Sequence, residues 1–148
     1  MSLPTEFDFA LVKMGNGASP EVFTAVCGLQ DATVNRTVNT QDRFVRDCAK
    51  PGEVPERKVK ATGRQTDITG TGLTNAAEVD RVEDALGLVK NYRVEVYSDN
   101  GTDTGDLLGT WAGPFMLTSA NNSIPREGNA AFELTLVSDG AVTWTPSL

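Results

Sequence analysis

Histidine is absent from all 148 residues, which removes the commonest general base, the usual serine and cysteine triads, and most zinc sites. Cys27 and Cys48 would lack their standard activator as nucleophiles. They are too few for a disulfide framework and lack metal-ligand spacing. We read them as two separate thiols, at least one of them buried; the alternative is a bridge that holds a long loop. Paired carboxylates can hydrolyse glycosides, but only when two acids face each other across a cleft, and no pair stands out here. Asp99, Asp103 and Asp106, in a glycine-punctuated loop, offer the oxygen ligands that Ca2+ prefers. Their spacing fits neither the EF-hand nor the nonapeptide repeat, so residues 99–106 read as a solvated hairpin loop. Gly70-Thr71-Gly72 lacks the third glycine and the βαβ setting of a dinucleotide fingerprint. No catalytic, cofactor-binding or metal-ligating residue is assigned, and the chain does not read as an enzyme.

The charge balance points elsewhere. Thirteen basic and twenty acidic residues give a net −7 and a pI near 4.5. Gripping nucleic-acid phosphates depends on Lys and Arg displacing counterions, which this balance disfavours. A surface that DNA passes without sticking is compatible with it. No apolar run approaches the roughly 20 residues needed to span a bilayer, and residues 1–10 lack a charged start followed by an apolar signal core. The expectation is a chain that is intracellular at synthesis, with one domain spanning residues 1–148.

The elements that would carry any site are mostly strands. In 129–145, Phe132, Leu134 and Leu136 alternate with Ala131, Glu133, Thr135 and Val137, the period of a strand with one buried face. Ser138-Asp139-Gly140 then precedes a second extended run containing Val142 and Trp144. An Asp-Gly pair between two such runs predicts a closing β-hairpin. Phe7, Phe9 and Leu11 suggest a first strand, Val22–Cys27 a second and Leu29–Val38 a weaker third. Lys58–Thr66, Leu88–Tyr97 and Leu107–Thr118 follow, the last with Gly109, Gly113 and Pro114 as bend or bulge points. Ser119–Gly128 reads as a polar loop. One helix is expected: Asn75 is spaced from Glu78 as in a capping box, Val79, Val82 and Leu86 form a stripe, and Gly87 stops it. About eight or nine strands and one helix predict a mainly β fold, an antiparallel sandwich or barrel with one flanking α-helix.

Thr40–Arg57 is the least globular stretch. Asp42, Arg43, Arg46, Asp47, Lys50, Glu53, Glu56 and Arg57 crowd into it, and Pro51-Gly52 and Pro55 interrupt it. The reading is a long charged loop at about residues 40–57, of a length that is usually functional or disordered. Its mixed charges and Phe44-Val45 pair suit an interface; a plain solvated loop is the alternative.

The order of these segments resembles a known family. Phe23–Leu29, Asn39–Asp42, Val59–Gly63, the helix, Tyr92–Tyr97, Gly113–Leu117 and above all Phe132–Gly140 together resemble the major tail tube protein of long flexible-tailed bacteriophages and gene transfer agents. The likeness covers nearly the whole chain. It implies a structural virion protein that forms hexameric rings, stacked into a hollow tube through which DNA passes to the host without specific binding. It further implies tape measure, tail terminator and distal tail proteins as partners, no cofactor, no membrane, and assembly in the bacterial cytoplasm. In such proteins a long loop between early strands reaches a neighbouring subunit or ring. The matching positions here are Arg43, Phe44, Val45, Arg46 and Asp47.

Simple electrostatics fits that role. Six copies at −7 each carry −42 formal charges per ring, and an acidic wall repels DNA where a basic one would hold it. Glu133 and Thr135, on the polar side of their strand, are the candidates for facing the lumen. Two rival expectations stand beside this one. The tube fold also serves contractile injection and secretion systems. A monomeric sugar- or protein-binding β-sandwich, such as a phage decoration module, would need exposed aromatics, whereas Trp111 and Trp144 sit in strand patterns that favour core packing.

Overall fold

The computed structural model describes residues 3–147. Its elements in chain order are β1 (Phe9–Gly15), β2 (Phe23–Ala25), β3 (Leu29–Val45), β4 (Glu56–Leu73), α1 (Ala76–Ala85), β5 (Val89–Ser98), β6 (Asp106–Ser123), β7 (Ala131–Ser138) and β8 (Thr143–Pro146). All strand pairings are antiparallel, in the order β2-β1-β5-β6-β7-β4-β3, with β8 added to β6. The mainly β fold with one helix agrees with the sequence reading. The curled sheet does not close, however, because β1 and β3 approach each other without pairing.

Period-two alternation decides which side is buried. Phe132, Leu134 and Leu136 of β7 meet Val12 and Met14 of β1, Tyr92 and Val94 of β5, Phe115 and Leu117 of β6 and Ile68 of β4 in one core. On β1 the inward residues are therefore Ala10, Val12 and Met14, and the alternating Phe9 and Leu11 face the other way. Helix α1 plugs this core with Val82 and Ala85. Asn75 caps it by accepting from the Ala77 amide at 3.1 Å. The expected return bond of a capping box does not form, because Glu78 pairs with Arg81 at 3.0 Å instead. Leu86 lies just beyond the last turn, largely exposed, and bridges to Leu117.

The predicted terminal hairpin is not formed. β7 and β8 run in the same direction along one side of β6: Ser123↔Ala131 through Phe115↔Ser138, then Ala112↔Thr143 through Gly109↔Pro146. A hairpin would need a free edge on β7, and both its edges are taken by β6 and β4. Asp139-Gly140 makes a sideways jog instead. Gly140 supplies a positive φ of 142°, and the Asp139 amide donates to the Pro114 carbonyl at 2.9 Å, keeping the chain on β6. The expected polar loop after residue 118 is also shorter, since β6 continues to Ser123.

Candidate functional site

Residues 40–57 are only partly a loop, because their two ends are strand. β3 and β4 pair from Leu29↔Gly72 out to Val45↔Glu56, with register shifts at Leu29/Asp31 and Asn39/Thr40, so the loop narrows to residues 46–55 at the end of a ribbon. β4 pairs with β7 only from Asp67 to Leu73. Beyond that point β3 and β4 leave the sheet as a two-stranded arm. Nine residues, Thr37–Val45, carry it about 30 Å from the body at some 3.3 Å per residue. The arm leaves where β7 gives way to β8. There the Thr66 amide donates to Ser138 Oγ at 3.0 Å, and Arg36 Nη2 donates to the Val142 carbonyl at 3.0 Å.

The five predicted contact residues all sit at the arm's far end, in two roles. Arg43, Phe44 and Val45 are the last three residues of β3 and are exposed, Phe44 at 72%. Arg46 and Asp47 shape the turn: Arg46 Nη1 donates to the Pro51 and Glu53 carbonyls, and Asp47 Oδ1 accepts from the Ala49 amide at 2.9 Å. Arg43 lies directly opposite Lys58, and Gln41 opposite Lys60. Like charges facing each other across a ladder repel. Neither Arg43, Lys58 nor Lys60 has an ion-pair partner among the described residues. Residues 36–64 hold eight basic and four acidic side chains, net +4, against five basic and sixteen acidic elsewhere, net −11. The chain is thus a basic arm on an acidic body, a division that a single net charge conceals.

Glu133 and Thr135 lie on the outward face of β7. Register pairing sets them in three rows: Asp31–Thr71–Glu133–Asn121, Thr33–Thr69–Thr135–Ser119 and Asn35–Asp67–Val137–Met116. Three acids and no base occupy these positions, so the surface is smooth, hydroxyl-rich and negative.

Sequence reasoning missed an aromatic cleft. Phe7, Trp111 and Trp144 cluster, with ring centroids 4.5 Å apart for the two tryptophans and 6.2 Å from Phe7 to each. Trp144 is not a core residue but 38% exposed, lying over Gly109, whose missing side chain leaves it room. Beside the cluster the unpaired edges of β1 and β3 border a cleft of about 640 Å3, floored by Val94, Val96 and Trp111, walled by Ala32 and Val34 and rimmed by Asp8. No basic side chain lines it.

The other expected chemistry resolves into structural roles. Cys27 and Cys48 are both exposed and free, which corrects the expectation of a buried thiol. Asp99 and Asp106 accept hydrogen bonds from the Gly101 amide and Asn100 Nδ2 within their own loop. No cluster of three or more metal-ligating side chains forms among the described residues. On the outward face of β1 and β5, Glu95 takes Lys13 at 2.8 Å and the Tyr97 hydroxyl at 2.6 Å. Burial pushes the Glu95 carboxyl up, but Lys13 and Tyr97 together outweigh it and hold its pKa below the usual value. Burial and then the Glu95 carboxylate push Tyr97 up to about 12.

Comparison with known proteins gives this geometry a family. No curated protein sequence matches the chain. Among solved structures it is similar to a chain of the virion of a native gene transfer agent particle, at 22% identity and a TM-score of 0.68 over 96% of this chain and 99% of that one. It is also similar to a chain of the tail of an empty gene transfer agent particle with C6 symmetry, at 23% identity and a TM-score of 0.64 over 91% and 94%. A third likeness is to a chain of the sheath-tube complex of an extracellular contractile injection system, at 18% identity and a TM-score of 0.65 over 99% and 95%. At such identities the shared property is the fold. The family model for phage tail tube proteins matches residues 5–144, nearly the whole chain, and the protein therefore belongs to the phage tail tube family, as a structural component of the virion tail.

Proposed function

We propose that this chain assembles into hexameric rings that stack into the hollow tube of a tail, through which DNA passes on ejection. The observation that carries the reading is the arm. An isolated two-stranded ribbon is marginal in water, and this one extends about 30 Å from its sheet with apolar and uncompensated basic residues at its end. Such a ribbon is explained if a neighbouring subunit covers it. Arg43, Phe44 and Val45 then form the contact, with Arg46 and Asp47 holding the turn that presents them. The C6 symmetry of the gene transfer agent tail supports six copies per ring. The partners would be the tape measure, terminator and distal tail proteins.

The hydroxyl-rich acidic face bearing Glu133 and Thr135 is the lumen wall in this reading. Its acids repel phosphates, and its lack of Lys and Arg removes the groups that would release counterions and bind DNA. A tube inside a contractile sheath is the second reading, supported by the likeness to the contractile injection system chain.

Negative-stain electron microscopy over a protein concentration series tests the assembly. Rings or hollow tubes are expected, and loss of both is expected when residues 41–58 are replaced by a two-residue turn. Particles that stay monomeric, even beside a tail-tip initiator complex, would sink the proposal.

A further inference from the structure

We propose that the tip of the arm seats in the aromatic cleft of a second copy of this chain. The inference rests on the reading that the arm joins subunits, and it names the surface the arm meets.

Both surfaces are incomplete in the monomer, and their chemistry matches. At the arm end Phe44, Val54 and Val59 are exposed at 72%, 86% and 53%. On the ribbon, Phe44 and Val59 share one side with the Asp42–Arg57 ion pair, while Arg43, Lys58 and Lys60 share the other. The cleft offers Val94, Val96 and Trp111 as an apolar floor, Phe7 and Trp144 at its end, and at its rim the carboxylate of Asp8, whose Oδ2 also accepts from the Asp99 amide at 2.7 Å. A tip with exposed apolar residues and a basic side thus meets a groove with an apolar floor, one acid at its rim and no basic side chain. About 640 Å3 of space accommodates Phe44 and its neighbours. Complementary charge of this kind mainly speeds encounter and fixes register, whereas the buried aromatic anchor supplies affinity.

The chain's own arm cannot fill its own cleft. Gln30–Val34 form one wall of the groove, and Phe44 lies ten residues further along the same strand. At 3.3 Å per residue that is about 33 Å away. The occupant therefore comes from another molecule, a second copy in this proposal. Because tip and cleft are different patches, the contact is heterologous, which generates open-ended stacks or closed rings instead of a sealed pair.

Disulfide capture tests this. In a Cys27→Ser, Cys48→Ser background, full-length Phe44→Cys and Phe7→Cys proteins are mixed, assembled and oxidised, with Asp84→Cys on α1 as the comparison site. The expected result is a 44–7 crosslink in several-fold excess over 44–84, and loss of tubes for Phe44→Asp. If Phe7→Cys does not fold, Asp8→Cys on the rim replaces it. If Phe44→Asp blocks tubes but Phe44→Cys links to α1 in preference to both cleft positions, the cleft proposal fails and the arm reading survives. If Phe44→Asp assembles like the wild type, the arm reading itself fails.

Discussion

Arg36 Nη2 donates to the backbone carbonyl of Val142 at 3.0 Å, joining residues 106 apart in sequence at the point where the sheet forks. One branch of the fork is the arm and the other is β8. The bond satisfies a carbonyl at the jog and fixes the angle at which the arm leaves. Arg36→Ala should cost about 1 kcal/mol, the usual net worth of a hydrogen bond. It should also raise amide exchange across residues 37–64 while leaving β5–β7 protected. Uniform loss of protection in both regions would show that the bond supports the whole sheet.

The two faces of β7 should respond very differently to truncation. Leu136 is fully buried and Glu133 exposed. Leu136→Ala is expected to lose about 2–5 kcal/mol in denaturant unfolding, and Glu133→Ala to stay within about 0.5 kcal/mol. Similar losses at both positions would contradict the assignment of faces.

Glu95, Lys13 and Tyr97 make stability depend on pH at both ends of the scale. The Glu95 pKa is depressed in the fold, so its contribution is present above the usual carboxylate value and fades as pH falls through the lower folded one. The Tyr97 pKa is raised from 10.0 to about 12, so its contribution is complete below pH 10 and lost as pH climbs towards 12. Tyr92, the only other tyrosine, is pushed up to about 12 by burial, against the opposing pull of Arg81. Phenolate absorbance should therefore be nearly absent at pH 11 in the native protein and strong after unfolding. Glu95→Gln should lower one of the two midpoints. A native midpoint near 10 for both would refute this account.

Tyr92 packs edge-on against Phe115, with centroids 6.3 Å apart, yet its buried hydroxyl has no hydrogen-bond partner. A buried group without a partner carries its desolvation cost uncompensated. Tyr92→Phe is expected to leave stability unchanged or raise it by up to about 1 kcal/mol, measured by thermal melting. A clear loss would reveal a partner for the hydroxyl.

What the sequence displayed and what it hid follow from how local each signal is. The buried face of β7 was legible because Phe132, Leu134 and Leu136 alternate within a few residues. Lys58–Thr66, the outer part of β4, reads as a strand, but residues 40–45 of β3 do not, because that segment is wet on both sides and has no apolar period to show. Asp139-Gly140 signalled a reversal correctly for an isolated segment. That signal was overridden by pairing with β4 and β6, which lie far away in the chain. The aromatic cleft was hidden for the same reason, since Phe7, Trp111 and Trp144 are separated by over a hundred residues from first to last. The five contact candidates rest on their place in a stretch of crowded charge, and only the structure divides the exposed Arg43, Phe44 and Val45 from the turn-forming Arg46 and Asp47.

The fork also decides how the molecule carries mechanical force. Pulling on the arm along its own axis draws β4 lengthwise past β7, whose seven paired positions run from Asp67↔Val137 to Leu73↔Ala131. Their hydrogen bonds lie across the direction of pull, so they share the load together and do not open one at a time like a zip. On the other side of β7, β6 is 18 residues long and is paired from Phe115 to Ser123 with β7 and from Gly109 to Ala112 with β8. Tension entering at the arm is therefore handed sideways into the longest strand of the body, in shear at each step.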